Sequence, residues 1–209
     1  MKKTIVCLLV LAAVSAASAM VACTETYTYG WEDGGTILGN YYDITATNVT
    51  TYAHGGSSSL ELIDGGVSTP QAYVAWITGL TDGDVVTAGF WVYDETPEGE
   101  YPKGRIWAHY STTDVLSYGG SASGNGDYSD TGWTYLEYTW TFVADGGTYG
   151  MRNGLVIEAR TYTSEGDTIW VDDITVTAPC DATVTFPVPE PATMGILGLG
   201  GLLLARRKK

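Results

Sequence analysis

Two histidines, three cysteines and 24 carboxylates are the groups this chain offers for acid–base, nucleophilic or metal chemistry. No cluster of His and Cys has the spacing of a zinc site, and no G-x-S-x-G elbow presents a serine. His54 falls in a strand motif that gives it a structural role. The carboxylates sit mostly in glycine turns and in the acidic loop Asp94 to Glu100, where solvated charge is their ordinary use, although composition alone leaves a glycosidase-type pair open. An enzyme is therefore not expected.

Recognition is better supplied. In Arg105-Ile106-Trp107-Ala108-His109-Tyr110 the partners Ile106, Ala108 and Tyr110 suit a core, which places Arg105, Trp107 and His109 on the open face. By the same alternation Val156, Glu158, Arg160 and Tyr162 oppose the core set Leu155, Ile157 and Ala159. Sugars are bound by flat aromatic surfaces beneath their C–H faces, with charged or amide groups reaching the hydroxyls. Trp107 and His109 with Glu158 and Arg160 are therefore the candidate glycan patch. Core packing and cross-strand pairing would use the same residues, and with seven Trp and 15 Tyr that alternative stays open.

Such side chains need strands to hold them, and the chain reads as strands. From Thr134 to Phe142, Leu136, Tyr138, Trp140 and Phe142 face one way while Tyr135, Glu137, Thr139 and Thr141 face the other. Similar alternation runs through Gln71 to Thr78, Val85 to Tyr93, Arg105 to Ser111, Leu155 to Tyr162 and Thr168 to Thr177. Turns such as Asp33-Gly34-Gly35, Asp82-Gly83 and Asn153-Gly154 separate them. No helical period appears in this body, so an all-β sandwich of about eight to ten strands in one domain, residues 20–178, is predicted. Gly119 to Asp130 reads as a flexible loop, and 179–187 as an extended linker.

The ends differ from the body. Lys2 and Lys3, the apolar run Ile5 to Val14 and Ala17-Ser18-Ala19 make residues 1–19 a secretory signal peptide with its own short helix. Between the two termini, residues 20–187 keep four basic against 23 acidic residues, a net charge of −19. That charge disfavours nucleic acid and anionic membrane surfaces. With Cys7 removed, Cys23 and Cys180 form an even pair in an exported chain and are read as a disulfide. Lipidation of Cys23, after a loose lipoprotein-like box, is the alternative.

Five segments, in order, resemble carbohydrate-binding modules of the galactose-binding-like jelly-roll class. They are Gly30-Trp31-Glu32-Asp33-Gly34, then Ala53-His54-Gly55-Gly56-Ser57-Ser58-Ser59-Leu60, then Gly83-Asp84 leading to Phe90-Trp91-Val92, then Gly132-Trp133-Thr134, and last Val171-Asp172-Asp173-Ile174. The resemblance implies a jelly-roll sandwich over residues 29 to 177. It also implies a structural Ca²⁺ held by Glu32 and by Asp172 or Asp173, a choice of ligands that suits the ion's preference for clustered carboxylates.

The last residues, 188–209, carry Pro189-Glu190-Pro191, an uncharged segment 192–205 and the basic end Arg206 to Lys209. As a helix that segment spans about 21 Å against a hydrocarbon core of ~30 Å, so it suits a transient membrane segment. The order of triplet, apolar run and basic end resembles the PEP-CTERM sorting signal of Gram-negative bacteria. The resemblance implies an exosortase partner, after signal peptidase, and removal of the tail. The reading is thus an exported, non-catalytic protein of the cell surface or extracellular matrix that binds polysaccharide, including exopolysaccharide. A purely structural matrix or adhesion component and a small secreted carbohydrate-active enzyme are the alternatives.

Overall fold

Alternation of β-branched or aromatic residues with Thr, Ser and Gly produces strands almost throughout the computed structural model. It describes residues 23–66, 68–97, 103–162 and 164–187. The first six strands are β1 (Thr24–Tyr29), β2 (Gly39–Tyr41), β3 (Ile44–Val49), β4 (Ser59–Asp64), β5 (Gln71–Thr78) and β6 (Val85–Asp94). The other six are β7 (Gly104–Ser111), β8 (Tyr118–Gly124), β9 (Gly132–Thr141), β10 (Gly154–Thr161), β11 (Thr168–Pro179) and β12 (Thr183–Thr185). The helical content among the described residues is one 3-10 turn, Gly147–Tyr149.

Sheet A runs β3-β4-β11-β6-β9 with β1 also on β11, and sheet B runs β12-β5-β10-β7-β8 with β2 also on β5; all pairs are antiparallel. The chain passes from one sheet to the other at nearly every connection, which is the wrapping of a jelly roll. Phe90, Leu136, Trp140 and Ile174 from sheet A meet Ile77, Ile106, Leu155 and Ile157 from sheet B in one core. Each of these large side chains, fully buried, contributes about 1.5–3 kcal/mol.

Two irregularities shape the outer faces. On β11, Thr168–Val171 pair with β4 and Ile174–Pro179 with β1, so the neighbouring strand changes at Asp172-Asp173. There β11 carries an extra residue against β6, and Asp173 takes a left-handed φ of 47°. On β5, Ile157 faces Ala75 but Glu158 faces Tyr73, so Val74 is the inserted residue. Val74 and Ala75 both enter the core, and Tyr73 is re-aimed to the outer face.

Several expectations change. Gly119 to Asp130 is not simply a loop, since its first half is β8, paired with β7. The segment 179–187 is extended but no linker: β12 adds to β5, Phe186 stacks on Tyr29 at 5.4 Å, and Tyr29 donates to the Pro187 carbonyl at 3.0 Å. The sandwich therefore reaches Pro187, and short β2 and β12 bring the strands to twelve. Cys23 and Cys180 are bonded, with Cα atoms 5.5 Å apart, so the Cys23 sulfur has no place for a lipid. The signal peptide, its helix and the tail 188–209 lie outside the described residues.

Candidate functional site

Strands β10 and β7 pair so that Glu158 faces Trp107, Val156 faces His109 and Arg160 faces Arg105. All six point away from the core, on the outer face of sheet B. The four residues expected to form a patch are therefore brought together. Glu158 is fully buried and is bonded on both oxygens: the His109 ring Nδ1 donates to Oε1 at 2.5 Å and Arg160 Nε to Oε2 at 2.5 Å. A buried carboxylate needs such partners, because charge without them is costly in a low-dielectric setting.

Burial corrects the expectation that these residues are open. His109 is only 1% exposed and Glu158 not at all, because neighbouring aromatics cover them. The His109 ring lies 4.8 Å from Tyr73 and 5.6 Å from Tyr118, and its Nε2 is buried with no partner among the described residues. Trp107 remains half-buried, but it is not a bare plate. The guanidinium carbons of Arg105 and Arg160 stand 4.7 and 4.6 Å from its ring centroid, and its Nε1 donates to Ser121 at 3.1 Å. Gly124 faces it on β8, where a Cβ would meet the Trp107 backbone at 2.6 Å.

Tyr73 and Tyr118 escape a reading by alternation. Strict period two groups Tyr73 with Ala75 and Ile77 in the core; the bulge at Val74 reverses it, and nothing in the residue types announces that bulge. Tyr118 belongs to a glycine- and serine-rich stretch whose composition reads as loop. A tyrosine among glycines there was the only available signal. Burial, and then the charge of Glu158, push the Tyr73 phenol up to about 12. Burial likewise raises Tyr118. Tyr41, Tyr42, Leu116 and Tyr149 stand exposed around them, so a solvent-facing aromatic rim surrounds a buried charged cluster.

Glu32, Asp172 and Asp173 gather on the other side of the molecule, around one loop. Glu32 accepts from Ser57 N, Ser57 Oγ and Ser58 N, each at 2.9 Å, and these hydrogen bonds hold its carboxyl below the usual range. Asp172 accepts from His54 N at 2.8 Å, Gly55 N at 3.1 Å and Asp173 N at 2.7 Å; burial nevertheless raises its carboxyl. Asp173 bonds the His54 ring at 2.7 Å, and that ring stacks 4.0 Å from Trp91. His54 is thus a packing residue, as its motif implied. Among the described residues no three His, Cys, Asp or Glu side chains are placed to hold one metal ion. Oxygens already facing N–H donors do not fit a calcium ion as they stand; they fasten the loop.

The comparisons with known proteins bear chiefly on the tail. Residues 187–209 match the PEP-CTERM protein-sorting motif. That motif marks an exported protein destined for the cell envelope or surface and implies processing by an exosortase. No curated protein matches the chain. Among solved structures, the CBM22-2 xylan-binding domain of Paenibacillus barcinonensis Xyn10C is 21% identical, with a TM-score of 0.48, covering 73% of this chain and 98% of that one. The CBM22-1 xylan-binding domain of the same protein is 13% identical, with a TM-score of 0.45, covering 77% and 98%. A family 16 carbohydrate-binding module is 16% identical, with a TM-score of 0.41, covering 65% and 86%. Likeness at this level carries neither a fold nor a ligand to this chain.

Proposed function

We propose that this chain is an exported, non-catalytic polysaccharide-binding protein of the cell surface or extracellular matrix, and that the outer face of sheet B is its binding face. One observation carries the reading: the Glu158 carboxylate, tied to His109 and Arg160, sits opposite half-buried Trp107 on the paired strand, with exposed aromatics around them. Sugar rings can lie against such rims while charged groups take the hydroxyls. Export fits a ligand met outside the cell, and the disulfide fits an oxidising compartment. The tail would anchor the chain in the inner membrane of a Gram-negative cell until the exosortase removes it.

Affinity electrophoresis of residues 20–187 through gels containing soluble polysaccharides tests the reading. Retardation by at least one polymer, lost in Trp107→Ala while the thermal transition persists, is the expected result. Equal mobility in every polymer would reduce the cluster to packing and leave a purely structural surface component.

A further inference from the structure

The four cations of the acidic body are not spread evenly. Arg152 is used structurally, donating to the carbonyls of Gly119 and Val143 and lying 3.8 Å from the Tyr110 ring. The other three, Lys103, Arg105 and Arg160, converge at one end of the outer face of sheet B. Arg160 is neutralised by Glu158, and Lys103 is within electrostatic reach of Asp94.

Arg105 differs from both. Its Nε donates to the Asn125 carbonyl, and its guanidinium carbon lies 4.7 Å from the centroid of Trp107, 5.1 Å from Tyr128 and 5.6 Å from Tyr162. Among the described residues no carboxylate lies within ion-pair distance, and its terminal nitrogens make no hydrogen bond. A guanidinium held between three rings, with no carboxylate partner among the described residues of so acidic a body, is a shaped anion receptor. Aromatic faces hold the plane of the fork, and the edge formed by its two terminal nitrogens matches a carboxylate bidentately.

We infer that the polysaccharide bound on this face is an acidic one, and that Arg105 takes the carboxylate of a uronate residue while the neighbouring aromatic rim takes the sugar rings. The inference rests on the proposed binding face and narrows it to a chemical class. Net repulsion from the acidic body is screened beyond about 8 Å at physiological salt, whereas a direct guanidinium–carboxylate contact is not.

Matched polymers make the test: glucuronoxylan, polygalacturonate and alginate, each beside its own carboxyl-reduced form. At least one acidic polymer is expected to bind about tenfold or more tightly than its reduced form, in keeping with hydrogen bonds to a charged group. Arg105→Gln should erase that preference by lowering acidic binding to the level of the reduced form, with an unchanged thermal transition. Arg105→Lys, which keeps charge but loses the fork, should recover part of it, whereas Trp107→Ala should weaken both forms together. Equal binding of acidic and reduced polymers, or a preference that survives Arg105→Gln, overturns the inference while leaving the binding face intact. Binding of neither form by the unsubstituted protein overturns both.

Discussion

On the outer face of sheet A the buried carboxylate is Asp172; on sheet B it is Glu158. Asp172 is satisfied by three backbone N–H groups, and the rings around it are packed: Tyr52 against Trp170 and Tyr93, and His54 against Trp91. Glu158 is satisfied by two side chains, His109 and Arg160, and the rings around it grade from buried Tyr73 through half-buried Trp107 to exposed Tyr118. Six of the ten large apolar side chains most exposed among the described residues, Tyr41, Tyr42, Leu116, Tyr118, Tyr128 and Tyr149, rim sheet B or its connections. A carboxylate spent on backbone fixes a loop. One tied to side chains, beside exposed aromatics, is the feature on which the proposed binding face rests.

The comparison is broken or sharpened first by removing the covalent tie on the sheet A side. Replacing Cys23 and Cys180 by Ser opens a crosslink between residues 157 apart, for which chain entropy predicts a loss of about 5 kcal/mol. Urea unfolding should show that loss. Polysaccharide affinity, measured where the variant remains folded, should not change.

The two buried carboxylates of the outer faces come next. Asp172→Ala strands three N–H donors, and Glu158→Ala strands Arg160 and His109; each should cost about 3 kcal/mol. Their effects on binding should diverge, with affinity kept in Asp172→Ala and lost in Glu158→Ala. Equal losses of affinity would mean that the faces are not functionally distinct.

A smaller effect separates the faces by pH. The Tyr73 phenol is raised from its ordinary value of 10.0 to about 12, so it favours the fold while neutral. Its contribution is complete below pH 10 and is lost as pH rises through about 12, which amounts to about 2–3 kcal/mol. Tyr73→Phe should therefore flatten the alkaline decline in unfolding free energy by that amount. An identical decline in both proteins would show that Tyr73 is not buried beside Glu158.

What was legible in the sequence follows from periodicity. β5 begins and ends where alternation placed it, and β9 keeps Leu136 and Trp140 inside as read, with Tyr138 partly buried against the core and Phe142 buried just past the strand's end. The pairing of Trp107 with Glu158, and of Arg105 with Arg160, was also accessible in part, because alternation put all four on one face. Depth was not accessible. Period two tells which side a residue takes, but His109 and Glu158 are buried by Tyr73 and Tyr118, and those arrive through a bulge and through a strand rich in glycine. β12 was missed for a related reason: three residues after a disulfide turn are too few to show a period, and only pairing with β5 makes them a strand.

The smallest expected effect concerns calcium. For a Ca²⁺ ion to use Glu32 and Asp172, their oxygens would have to release the N–H groups of Ser57, Ser58, His54, Gly55 and Asp173. Each surrendered bond would loosen the loop that these N–H groups fasten. Gly56, at φ +60°, brings the loop backbone against that carboxylate, where an added Cβ would lie 2.4 Å from Glu32 Oε1. Thermal unfolding in millimolar calcium and in chelator should therefore coincide within about 1 °C, less than the shift produced by 1 kcal/mol. Calcium-dependent stabilisation abolished by Glu32→Gln would overturn this, because a ligand that binds only the folded state raises stability by mass action. The sheet A carboxylates would then be ion ligands rather than loop anchors, and the contrast with Glu158 would rest on which ligand each face takes.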